Sequence, residues 1–152
     1  MGSIGRVLSV FRGLLAAALI TASFFTATPA HAQARVRNPD AVALDWAYTQ
    51  AGVPYVWGGA SGWGYDCSGL VMVAYEHAGI YLPHYTVAML WSGHLRWVEH
   101  PRPGDLALWG GAFPYHVEIY VRPGWTWGAQ DFGTVVGLHR MWGYPSFYEV
   151  IG

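Results

Sequence analysis

The feature that most constrains this chain is a change of hydrophobic period near Leu95. Before it, apolar residues recur at helical spacing; after it, they come in short runs separated by turn residues, the signature of an antiparallel sheet. The runs predict strands at about Leu95 to Val98, Leu106 to Trp109, His116 to Val121, Thr126 to Ala129, Val135 to Leu138 and Tyr148 to Ile151. Turns are expected at Pro101 to Gly104, Gly110 to Phe113, Arg122 to Gly124 and Asp131 to Gly133. Helices first and a meandering sheet afterwards make an α+β domain, with one face of the sheet covered by a helix.

Three helical segments precede the switch. Asn38-Pro39-Asp40 is a helix opening, with Asn38 as cap and Pro39 at the first helical position; Val42, Ala43, Trp46 and Ala47 form its apolar face, and Gly52 stops it. Residues 53 to 66 form a glycine-rich loop leading to a second helix from Cys67 to about Ala78, with Leu70, Val71, Ala74 and Tyr75 on its apolar side. A short helical turn is expected from Thr86, as cap, to Trp91. No internal repeat or low-complexity tract interrupts the pattern.

Residues 1–34 read as an export signal. Arg6 and Arg12 precede an apolar run from Gly13 to Phe25, and Ala30-His31-Ala32 and Ala32-Gln33-Ala34 are overlapping small-x-small cleavage sites. A retained anchor is the competing reading, although Thr21, Ser23 and Thr26 interrupt the run. Residues 35–152 then form one domain, expected to be secreted and a monomer. That domain carries six arginines, no lysine and nine acidic residues. It has no basic stripe for nucleic acid and no polybasic patch for a membrane, so the only membrane contact expected is through an uncleaved signal.

Cys67 is the sole cysteine. It has no internal disulfide partner, and a sulfur-based metal site would want several cysteines, so no metal or other cofactor is expected. At a helix start the unpaired N–H groups and the helix dipole favour thiolate over thiol. The simpler alternative is a small apolar residue that happens to begin a helix. A cysteine nucleophile needs a base within hydrogen-bond reach and a polar group orienting that base. His77 lies too far along the same helix, and His84, His94 and His100 fall in segments read as solvated loops. His116 opens a strand and is the candidate base. All nine tryptophans follow residue 34, more aromatic surface than a small core needs, so some are expected to line a groove.

Pro54-Tyr55-Val56-Trp57-Gly58-Gly59, Asp66-Cys67-Ser68-Gly69-Leu70-Val71, Pro103-Gly104-Asp105-Leu106 and His116-Val117-Glu118-Ile119-Tyr120 together resemble, in that order, the NlpC/P60 cell-wall peptidases. The resemblance covers about residues 40 to 140. It implies a papain-like α+β fold and a thiol peptidase that cuts peptidoglycan stem peptides, often between D-glutamate and a diamino acid, through an acyl-enzyme. Carried over to matching positions, it makes Cys67 the nucleophile and His116 the base, with Tyr55, Asp66 and Ser68 as substrate contacts. Asp66 would pair with a free ammonium, and the Tyr55 hydroxyl would donate to a developing oxyanion. The family places a polar orienting residue about a dozen positions after the base, and direct counting lands on Gly128. Allowing a longer turn moves the role to Gln130, with Asp131 and Glu118 as rivals. Glu118 also stands where a small residue is expected. An amidase or acyltransferase on the same scaffold, or an inactive wall-binding module, are the alternative functions.

Overall fold

The computed structural model describes residues 38–152, so the export signal expected at 1–34 lies outside the described residues. Among the described residues no helix is long and apolar enough to cross a membrane.

Helix α1 (Pro39–Tyr48) starts as its sequence dictates. The Asn38 side chain accepts from the Asp40 N–H at 3.2 Å, and Pro39 occupies the first turn, where its missing donor costs nothing. Its buried residues Ala43, Leu44 and Ala47 pack on α2 (Cys67–His77), and Trp46 stacks on His77 with ring centroids 4.7 Å apart. Between the helices the loop folds back as a small hairpin, β1 (Ala60–Ser61) and β2 (Gly64–Tyr65), which hydrophobic period alone does not reveal. Helix α2 buries Leu70, Val71, Ala74 and Tyr75 and ends at Ala78, where Gly79 at φ 82° turns the chain away. Helix α3 (Thr86–Leu90) begins one residue away from expectation. Tyr85 is the cap position, and the Thr86 hydroxyl, instead of capping, donates to the Pro114 carbonyl at 2.5 Å, because the side chain is buried against that loop.

The strands are β3 (Leu95–Val98), β4 (Leu106–Trp109), β5 (His116–Arg122), β6 (Trp125–Gly128), β7 (Gly137–Arg140) and β8 (Ser146–Val150). Their order in the sheet is β3-β8-β4-β5-β6-β7, antiparallel throughout. The expected meander is therefore corrected at one place: β8 enters between β3 and β4. Alternation fixes which face a residue takes, not which strand lies beside it.

One core cluster joins Ala43, Val71, Ala74 and Tyr75 of the helices to Leu106, Leu108, Val117 and Ile119 of the sheet. At its far end the buried Tyr75 hydroxyl donates to the Gly104 carbonyl at 2.6 Å and lies 3.0 Å from Asp40 Oδ1, joining α1, α2 and the turn before β4. Burial pushes the Asp40 carboxyl up, and the hydrogen bond from the Tyr75 hydroxyl works the other way.

Candidate active site

Cys67 is the first residue of α2, and local chemistry puts it there. Asp66 caps the helix: its Oδ1 accepts from the Gly69 N–H at 2.7 Å and from Ser68 Oγ at 3.3 Å, while Oδ2 accepts from the Gly58 N–H at 2.8 Å. The Asp66 N–H in turn donates to the Gly59 carbonyl at 3.0 Å, drawing the glycine-rich loop onto the helix start. A Cβ on Gly69 would collide with that same Gly59 carbonyl, so the close approach requires glycine.

The sheet supplies the opposite wall. Alternation along β5 sends Val117 and Ile119 into the core shared with α2 and sends His116 and Glu118 to the other face. At the strand's first position His116 faces the cleft that Cys67 lines, and its Nε2 lies 3.2 Å from Glu118 Oε1. With Nε2 turned to the carboxylate, Nδ1 is the nitrogen left for sulfur. Burial works against charging this ring, but the hydrogen bonds and negative charges of Cys67 and Glu118 push it up to about 9. Trp109 and Trp142 stack at 4.3 Å and both lie against the imidazole, centroids 5.4 and 5.0 Å away.

Cys67 and His116 meet in a cleft of about 1260 Å³ that Tyr55, Asp66, Ser68 and Gln130 also line. All the residues singled out from sequence are thus brought to one place, but one is not brought to the expected partner. The hydrogen bond on the imidazole comes from Glu118, whereas Gln130 lines the cleft without it. The reason is that β6 ends at Gly128, so Gln130 has left the ladder, while Glu118 shares a strand face with His116 two residues away. Asp131, the other rival, turns to its own loop, accepting from the Phe132 N–H at 2.7 Å.

Tyr55 lies in the cleft wall, edge-on to Phe132 at 5.1 Å. Burial, then the nearby negative charges of Cys67, Asp66 and Asp131, push its phenol up to about 12, which leaves it a proton donor at any ordinary pH. His84, expected to be solvated, is instead half-buried in the cleft and bonded through Nε2 to Asp66 Oδ1 at 2.8 Å. No periodicity or capping signal marks it. Among the described residues no group of three or more His, Cys, Asp or Glu side chains is placed to hold a metal ion.

Comparison with known proteins bears on the fold that carries this cleft. A protein of Mycobacterium tuberculosis named a probable endopeptidase is 42% identical over 104 residues, 68% of this chain but 26% of the relative, so this chain spans about a quarter of that protein's length. The NlpC/p60 domain of the peptidoglycan hydrolase SagA superposes with a TM-score of 0.64 at 33% identity, covering 72% of this chain and 96% of that domain. RipD of Mycobacterium tuberculosis, a non-catalytic NlpC/p60 protein adapted to peptidoglycan binding, superposes with a TM-score of 0.63 at 26% identity, covering 74% and 98%. The NlpC/P60 family model matches residues 52–143, a span that contains the Cys67 helix, the β5 strand and the cleft between them. With that span matched and the same α+β architecture underneath it, the chain belongs to the NlpC/P60 family.

Proposed function

We propose that this protein is an exported cysteine peptidase that hydrolyses peptidoglycan stem peptides, cutting between D-glutamate and a diamino acid. The observation that carries this reading is the meeting of Cys67, at the start of α2, with a His116 ring held by Glu118, inside one open cleft. Binding alone requires neither group. Relatives that act on or bind peptidoglycan supply the substrate class.

The residues divide the reaction as follows. The Cys67 sulfur attacks the stem carbonyl, forming a C–S bond and pushing the carbonyl electrons onto oxygen. The Tyr55 hydroxyl and the backbone N–H groups at the start of α2 face that oxyanion; the Gly69 and Leu70 N–H groups are already taken by Asp66, which leaves those of Cys67 and Ser68. As the oxyanion collapses, the C–N bond breaks and the His116 imidazolium gives its proton to the departing amine. Water then enters, His116 takes its proton, hydroxide attacks the thioester, and the C–S bond breaks to return the thiolate and the imidazolium. Asp66, although committed to the cap, keeps an Oδ2 that accepts a single protein hydrogen bond, and that oxygen is the place for the free ammonium of a stem.

Incubating the protein with purified peptidoglycan and identifying new amino ends by mass spectrometry tests the reading. New ends on the diamino acid are expected with the wild type and not with Cys67→Ala. Binding without cleavage would place the chain with RipD, and release of a different group would point to amidase or acyl-transfer chemistry on the same scaffold.

A further inference from the structure

The buried carboxylate on β5 has a setting more specific than a chance ion pair. Glu118 is fully buried, with its Oε1 at His116 Nε2 and its Oε2 accepting from the Thr126 hydroxyl. A buried carboxylate needs its lone pairs engaged, and here one partner comes from its own strand and the other from β6. Room for it comes from both sides. Its cross-strand partner on β4 is Ala107, and on β6 the nearest backbone is Gly128, where a built Cβ would lie 2.5 Å from Glu118 Cγ and 2.8 Å from Cδ. Gly128 has a negative φ, so no backbone requirement makes it glycine. The requirement is space.

We infer that Glu118 is the positioning residue of the base, fixing and charging the His116 ring from the base's own strand, and that Gly128 is glycine because the Glu118 side chain fills its place. The inference rests on the cysteine-peptidase reading and deepens it, by moving the orienting role from the loop after β6 to β5. The groups facing His116 are Cys67 from α2, Glu118 from its own strand, and the neutral rings of Trp109 from β4 and Trp142 from the loop after β7. Glu118 is therefore the one anion besides the thiolate that holds the ring protonated. An orienter on this strand and one on β6 are mutually exclusive, because both side chains need the same volume.

The test is a set of variants read in two ways: hydrolysis of peptidoglycan against pH, and the pH dependence of Cys67 alkylation by iodoacetamide, which needs no substrate. Glu118→Gln keeps shape and an acceptor for Nε2 but removes the charge. It should slow hydrolysis about 10- to 1000-fold and move to lower pH both the alkaline fall of hydrolysis and the alkaline step of alkylation, where the ion-paired thiolate becomes a free one. A purely structural carboxylate would change thermal stability and leave both profiles in place, and that result overturns the inference. The second arm transplants the acid. A Glu at 128 has its carboxyl carbon two carbon–carbon bonds from Cβ, about the reach needed to meet the present position of Glu118 Cδ. Glu118→Ala with Gly128→Glu should recover at least tenfold of the hydrolysis lost in Glu118→Ala, and Glu118→Ala with Gly128→Ala should not. No gain from a folded transplant also overturns the inference; if Glu118→Ala fails to fold, the Gln variant decides alone. Should the wild type cleave no peptidoglycan while Glu118→Gln still shifts the alkylation profile, the peptidase reading fails and the assignment of Glu118 stands.

Discussion

The wall of the cleft that carries Cys67 is assembled almost entirely between Gly58 and Gly69, whereas the wall that carries His116 draws on three strands and a loop: Trp109, His116 and Glu118, Thr126 and Gly128, and Trp142. On the first wall the contacts that cannot give are backbone to backbone, a helix start drawn against the Gly59 carbonyl. On the second they are side chain to side chain across a ladder. Cys67 is thus placed by a rigid local device, and His116 by an arrangement whose members can be exchanged if they change together.

The largest effect expected is chemical and treats both walls alike. Cys67→Ala and His116→Ala should each lower turnover by at least about 10⁴-fold with little loss of thermal stability, since each removes one member of a unit that acts as a whole. Near-normal turnover in Cys67→Ala would end the thiol mechanism.

Glycine replacements separate the walls. Gly69→Ala gains about 1 kcal/mol of helix propensity but sets Cβ into the Gly59 carbonyl, so a net loss of about 3 kcal/mol is expected in denaturant unfolding. No single side-chain change should rescue it. Gly128→Ala should cost about 2 kcal/mol, and most of that should return when Glu118 is trimmed in the same chain. Equal rescue at both glycines, or at neither, would erase the distinction.

A pH titration probes the second wall without mutation. The His116 ring is raised from its ordinary value near 6.5 to about 9, so the stability it contributes is complete below about 6.5 and is lost as pH rises through about 9. Hydrolysis should fall over the same alkaline range as the proton needed by the departing amine is lost. The smallest effect belongs to the first wall. Asp66→Asn keeps a competent cap, so stability should change by less than about 1 kcal/mol, while the preference for stems with a free amino end, expected at about 10- to 100-fold, should shrink. Equal rates of the wild type on free and glycan-linked stems would assign Asp66 to capping alone.

What could be read in advance follows the same division. The first helix's cap and the start of the second at the lone thiol were legible because each depends on neighbours in sequence: Asn38 before Pro39, and a glycine-rich loop before Cys67. His116 was legible from its place at the head of an apolar run. Which of Gln130, Asp131 and Glu118 meets its ring was not, because the choice is made by cross-strand neighbours of Glu118, Ala107, Thr126 and Gly128, that period-2 patterning leaves unspecified. The order of strands escaped for the same reason, and His84 because a loop residue joins Asp66 through tertiary placement alone.

The insertion of β8 between β3 and β4 also sets a timetable. Arg96 of β3 and Glu149 of β8 pair across 53 residues, and β4 waits for the same strand on one of its two sides. Closing so long a loop costs entropy before any contact repays it, which makes this sheet slow to complete.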